Sequence, residues 1–394
     1  MTVTEAPVRT RWMVAYALAM IGVAAGWFGP IQILLPEQAD RLAGADGKEA
    51  LLALVTAVGA AASLVANPLW GALSDRLGSR RPVFVAGTAI GVAGLLVLAV
   101  AETRSVMIAG WVLVQVGLNG PLAALAAMIG DRVPERQRGT VGALFGVAQI
   151  VGVVLGTALA VAVGQGTPGY VAVAVAVPAL GAALLLMRQE PIHVSDRSEI
   201  HWAALIRPGA QFAWAWLIRF LLNLVNALVL VYLFYYLSDQ VGVADAATWV
   251  LVLTVVNVLF AGIFGFAGGV LSDRWERRRV FIAAAAVILA AGTVLMALAP
   301  VVTVVIVASV LVGVGWGAYV AVDMAVITHV LPDAETRATM LGVANIAGTL
   351  PQLLAPVIAA PIVTALGGYR ALYLLTAAIA VAALACLPRL KTLA

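Results

Sequence analysis

Two ionisable side chains stand deep inside long apolar stretches of this 394-residue chain, Arg219 in AWLIRFLLNLVNALVL and Asp323 in GWGAYVAVDMAVITHV. Counted from the polar ends of their stretches, each lies about 8 residues in, roughly 12 Å at the rise of an α-helix. A charge at that depth in an apolar medium is costly unless it is paired or meets water, so both are candidates for substrate handling or proton coupling. A static ion pair that pins two helices together is the competing reading. His329, two turns beyond Asp323, is expected at an interface where it meets water, with a proton relay as the alternative. Around the two charges, polar and aromatic side chains recur at helical spacing: Trp111, Gln115 and Asn119; Arg219, Asn223 and Asn226; Thr254 and Asn257; Trp316, Tyr319 and Asp323; Asn345, Thr349 and Gln352. With Gln32, the residues Gln115, Asn119, Asn223, Asn226, Trp316 and Tyr319 form a candidate substrate cavity, although any single amide among them also suits an ordinary contact between helices.

The elements that must hold these residues are membrane spans. At 63% hydrophobic and 11% charged residues, the chain cannot build a water-facing shell. Stretches long enough to cross a bilayer fall at about 12–35, 51–73, 82–101, 105–130, 140–163, 169–187, 211–237, 247–270, 280–299, 301–330, 339–363 and 369–387. The first is too long for a signal-peptide core and is expected to be retained. If both termini are cytoplasmic, every Lys and Arg except Arg41, Lys48, Arg104, Arg370 and the intramembrane Arg219 falls on the cytoplasmic face, and that bias sets the orientation. The third, sixth, ninth and twelfth stretches contain no internal amide or charge and are expected to face lipid.

A polar loop, GALSDRLGSRRP at 71–82, recurs as GGVLSDRWERRR at 268–279. Gly71, Ser74, Asp75, Arg76, Arg80 and Arg81 are matched by Gly269, Ser272, Asp273, Arg274, Arg278 and Arg279, each 198 positions later. FGVAQIVG at 145–152 also matches LGVANIAG at 341–348. The chain therefore reads as a duplication: an N-terminal six-helix bundle at 1–187, a cytoplasmic linker at 188–210 with a short interfacial helix or irregular loop near 200–206, and a C-terminal six-helix bundle at 211–394. Neither charge is part of what the halves share, because Ile21 and Leu125 stand 198 positions before Arg219 and Asp323. Paired glycines, Gly87 with Gly91 and Gly152 with Gly156, are expected to let helices pack closely.

The repeated loop resembles the G-x-L-[SA]-D-R-x-G-R-[KR] loop of the major facilitator superfamily. It departs from that pattern at Ser79 in the first copy and at Glu276 in the second. The resemblance implies an all-α membrane protein of twelve helices in two pseudo-symmetric bundles, with spans one, four, seven and ten lining a central path. It also implies a cytoplasmic gate in which Asp75 and Arg76, with Gly71 and Arg80, and in the second copy Gly269, Asp273 and Arg274, lock one conformational state. GVVLGTALA at 152–160 is similar to the family's antiporter motif only in its first glycines, since Thr157 stands where Pro is expected. Fainter similarity to the sucrose–proton symporter-like branch lies in GWFGPIQILLPEQ at 26–38, NGPLAAL at 119–125 and VDMAVITHVLP at 322–332.

Other classes are disfavoured by what the sequence omits. No phosphate-binding G-x-x-x-x-G-K-[ST] occurs, and the only lysines are Lys48 and Lys391. No H-E-x-x-H or Cys/His cluster suggests a metal, and Cys386 is the only cysteine. No cofactor, nucleic acid or enzymatic activity is expected. The expectation is a monomeric secondary transporter in a plasma or bacterial inner membrane, taking up a polar or sugar-like solute with protons. Proton-antiport export of an amphipathic drug or metabolite is the alternative, and a channel is the competitor from another class.

Overall fold

The computed structural model describes residues 7–187, 209–275, 277–330 and 337–391. Among them, twelve helices are long and apolar enough to cross a membrane. The first, α1, runs over Thr10–Ala43; α2 is Lys48–Arg76, α3 Arg80–Ala99, α4 Arg104–Arg132, α5 Glu135–Ala162 and α6 Thr167–Leu185. In the second half α7 is Ala210–Val231, α8 Ala246–Trp275, α9 Arg278–Leu298, α10 Val302–Val330, α11 Arg337–Ala365 and α12 Gly368–Cys386. The break expected at Pro300 is present between α9 and α10. The reading of 200–206 as an interfacial helix lies outside the described residues.

The chain divides into two compact units, Met1–Asp196 and Arg197–Ala394. In the first, α1 packs on α5 and α6, α4 on α2 and α3, and α3 on α6. The second repeats the plan: α7 packs on α11 and α12, α10 on α8 and α9, and α9 on α12.

Two departures from the sequence reading have local causes. The first span does not stop near 35, because Pro30 is absorbed in a π turn, Pro30–Leu34, and the helix resumes over Leu35–Ala43. Proline clashes with the carbonyl four residues back, and a wider turn relieves that clash without ending the helix. As a result Gln38 is helical and buried, donating through Nε2 to the carbonyls of Leu98 and Ala101 and accepting from Tyr170 Oη at 2.8 Å. One amide thus ties α1 to the ends of α3 and the start of α6. The seventh span ends earlier than expected as regular helix, at Val231, and is followed by a second π turn at Tyr236–Val241. Asp245 then starts α8, accepting from the Thr248 backbone N–H at 3.0 Å and from its hydroxyl at 2.6 Å, and these bonds hold its carboxyl below the ordinary aspartate range.

Freedom from amides does not mark the least buried helices. The apolar windows of α3 and α9 are each 50% buried, whereas that of α8 is 17% buried. The third and ninth spans each lend one face to a tight crossing with a neighbouring helix. At the α3–α4 crossing, a Cβ on Gly117 would overlap the Gly91 backbone, and Gly87 abuts the same turn. Gly152 and Gly156 similarly seat α5 against the α1 backbone at Ile21 and Ala25.

Replacing Gly117 by Val should therefore destabilise the protein by about 1–3 kcal/mol or more through overpacking. Gly130, at the open end of α4, has free space around its Cβ position, so Gly130→Ala should leave the melting temperature nearly unchanged. Thermal unfolding in detergent, followed by size-exclusion recovery, checks the contrast.

Candidate functional site

The two intramembrane charges meet within the second unit. Arg219 on α7 places a terminal guanidinium nitrogen 2.7 Å from Asp323 Oδ2 on α10, with side-chain exposures of 12% and 14%. Tyr319, one turn before Asp323 and itself buried, donates its hydroxyl to Oδ1 at 2.6 Å. Both carboxylate oxygens are therefore engaged. Spacing of four residues puts Tyr319 and Asp323 on one face of α10, so the phenol solvates the acid without distorting the helix. Arg219 is less completely satisfied: one terminal nitrogen lies 3.5 Å from the Met324 sulfur, and its buried Nε donates to no protein group. A small cavity adjoins the pair, lined by Arg219, Tyr319 and Asp323 together with Ile282, Val326 and Leu390. Trp316 is half-buried and leans on Tyr319, with ring centroids 5.5 Å apart.

The other candidates separate into those used by the bundle and those left open. Asn119 is 2% exposed, accepts from Asn67 Nδ2 at 3.0 Å, and donates to Ser63 Oγ at 2.6 Å and to the Gln115 carbonyl at 2.7 Å. Both its N–H groups are spent within the first unit, so it ties the α2–α4 seam. Trp111 and Gln115 lie along the same seam, against Gly59. Gln32, on the π turn, accepts from Thr157 Oγ1 at 2.7 Å and joins α1 to α5. Asn223 donates to the Arg219 carbonyl within α7 and is half-buried, as is Asn226. Asn345, Thr349 and Gln352 on α11 are exposed, as is His329 at the end of α10.

In the first copy of the repeated loop, Arg80 is the centre. Its side chain is 10% exposed; it donates through Nε to Asp131 Oδ2 at 2.7 Å and through a terminal nitrogen to Ser74 Oγ at 2.9 Å and to Asp75. Asp75 is 63% exposed in its side chain, and Arg76 is exposed. Gly71 has open space about it, and Gly78 takes φ +58°, a left-handed turn that suits Gly. Sequence reading missed Asp131, because nothing in a separation of 51 residues announces that the end of α4 meets the loop. In the second copy Ser272 is buried like Ser74, Gly269 is open, Arg274 is exposed, and the side chain of Asp273 lies outside the description. Arg278 donates to the Ala325 carbonyl at 3.1 Å. His329 occupies the position equivalent to Asp131, 198 residues later.

Twelve candidate spans in two units of like internal plan, with charge paired inside one unit, describe a multi-pass membrane transporter. The family model of the Major Facilitator Superfamily matches residues 12–258 and 215–392, and the chain belongs to that superfamily. Among solved structures, the nucleoside transporter NupG superposes with a TM-score of 0.74 at 12% identity, over 97% of this chain and 100% of that one. A bacterial homologue of the human lysosomal transporter Spinster, in an inward-facing and occupied conformation, gives 0.75 at 16% identity, covering 96% and 94%. No curated protein matches the sequence. The protein is a transporter and not an enzyme.

Removing one member of the buried pair leaves the other uncompensated. Arg219→Ala should cost about 3–5 kcal/mol, and adding Asp323→Asn to it should recover part of that loss. Melting curves of the two single variants and the double variant measure the coupling, and additive losses would show that the pair contributes no interaction.

Proposed function

We propose that the protein is a secondary active transporter that takes up a small polar or sugar-like solute by alternating access, with protons as the coupling ion. It acts as a monomer in a plasma or bacterial inner membrane, with both termini cytoplasmic. The observation that carries this reading is the Arg219–Asp323–Tyr319 cluster, present in one unit and without counterpart in the other. Features shared by both halves serve the scaffold; a one-sided charge pair is free to serve the transported species.

The cluster supplies a way to exchange a proton for a partner. While Arg219 and Tyr319 hold both oxygens, the Asp323 carboxylate is neutralised where it lies. When α7 and α10 shift, or when the solute takes Arg219, the acid loses its compensating charge. A buried carboxylate without a partner is stable only in its neutral form, so a proton enters. Re-forming the pair expels it. The exposed Asn345, Thr349 and Gln352 support a polar solute, since an amide stripe that its own bundle does not cover belongs on a wet path. Nucleoside transport by one fold relative is compatible with that solute class.

In proteoliposomes screened against sugars, nucleosides and amphipathic cations, a pH gradient should drive accumulation of a polar solute. Asp323→Asn should abolish that accumulation while sparing counterflow exchange, because the amide keeps the shape but cannot cycle charge. Persisting pH-dependent accumulation in this variant would move the proton site elsewhere and leave the pair a structural tie.

A further inference from the structure

The segment after α12 is docked with more contacts than a simple exit from the membrane requires. Leu387–Arg389 forms a single 3-10 turn. Arg279, at the start of α9, donates to the Leu387 carbonyl at 3.1 Å. Gln211, at the start of α7, donates to the Arg389 carbonyl at 3.3 Å, and the Arg389 guanidinium lies 5.8 Å from the centre of the Trp214 ring. These anchors drive Leu390 inward, where it is fully buried and lines the cavity beside Arg219 and Asp323.

The order of the lining residues gives the cavity a direction. Ala215 is one turn nearer the start of α7 than Arg219, Ile282 is one turn into α9, and Val326 and Ile327 lie one turn nearer the end of α10 than Asp323. The cavity thus extends from the charge pair toward the membrane face that carries the α8–α9 loop. Leu390 is the lining residue that comes from the chain after α12, on that face. The Nε of Arg219 is buried with no protein acceptor, and the cavity walls are apolar apart from Arg219, Tyr319 and Asp323.

We infer that this cavity is the inner end of a water path to the Arg219–Asp323 pair, and that Leu390 is its plug. The inference rests on the proton-coupled reading for its use, but not for its existence. Opening the path would bring water to Asp323 from one face only, as alternation requires. Closing it would prevent protons from reaching the acid out of step with the solute. The charged and titratable groups that line the cavity are Arg219 on α7 and Tyr319 and Asp323 on α10; Arg278 and Arg279 on α9, His329 at the end of α10 and Arg389 on the docked turn lie at the ends of the elements that form it.

The test places a reporter in the cavity wall. Ile327→Cys, in a Cys386→Ser background, is alkylated with N-ethylmaleimide in detergent, with Leu390 intact or changed to Ala. With Leu390 present the thiol should react slowly, and Leu390→Ala should speed it about tenfold or more, the shift expected when a closed population becomes predominantly open. Because Leu390→Ala also removes core volume, Arg389→Ala provides a second route: it releases the turn from Trp214 without altering the cavity wall and should speed alkylation to a smaller degree. Unchanged alkylation in both variants overturns the plug. In reconstituted Leu390→Ala protein this face stays open while the halves alternate, so protons should also pass without solute, and adding Asp323→Asn should remove that leak. Faster alkylation without a proton leak keeps the plug and overturns the coupling role of Asp323.

Discussion

Lipid tails are as apolar as the side chains that would displace them, so burial of hydrophobic surface cannot by itself hold these helices together. Association must come from close backbone approach and from the few polar groups that find partners. The α2–α4 and α8–α10 seams show both means used in one register. In the first unit Gly59 receives Trp111 and Gln115, and Ser63 receives Asn119. In the second, 198 residues later, the small residues have changed sides: Gly313 and Gly317 on α10 receive the backbone of Asn257 and Ala261 on α8. The glycines at the crossing thus move from one helix to the other. That exchange lets two halves with little side-chain identity keep one helix plan.

Against this background the charge pair stands apart. Gln38, Asn119 and Thr157, buried within the spans, bond to carbonyls or to neutral side chains, and the buried cation Arg80 sits at a helix end against Asp75 and Asp131. Tyr16 makes the comparison direct, since its hydroxyl donates to the Leu125 carbonyl between α1 and α4. Leu125 is the position equivalent to Asp323. The first unit closes that junction with one neutral hydrogen bond, whereas the second uses a guanidinium, a carboxylate and a phenol. A neutral bond would have sufficed for packing. The additional desolvation cost of the ionic version is the reason to look for a use in it.

The number of spans, their order and the superfamily were legible because each rests on long-range features: length of apolar runs, a duplicated loop and its spacing. Arg219 and Asp323 were legible for the same reason, as charge is rare enough in such runs to be conspicuous at a single position. What the sequence could not carry was the partner of each polar group. The stripe Trp111, Gln115, Asn119 has the spacing of a cavity wall and of a helix seam alike, and only the position of Gly59, Ser63 and Asn67 on α2 decides for the seam. The first span reads from its sequence as about 12–35, yet a π turn at Pro30–Leu34 carries the helix onward to Ala43. Leu390 is one leucine among many, and its place in the cavity depends on a turn whose anchors come from two different helices, α7 and α9.

The repeated loop shows how a duplicated motif can keep its sequence and still change its connections. Arg80 reaches across to Asp131 at the end of α4, so the first loop is bound to its own bundle by a buried charge. With His329 in the equivalent place, Arg278 turns to a main-chain carbonyl at Ala325, and the neighbouring Arg279 takes the Leu387 carbonyl. A hydrogen bond from a cation to a carbonyl lacks the full countercharge that a carboxylate supplies. The loop that makes these main-chain bonds lies in the unit that carries the charge pair, beside the turn that presents Leu390. The first loop is thus tied to its bundle through side chains, whereas the described bonds of Arg278 and Arg279 reach the backbone of the helix that carries Asp323 and of the turn that precedes Leu390, so a shift of either element is felt at the loop.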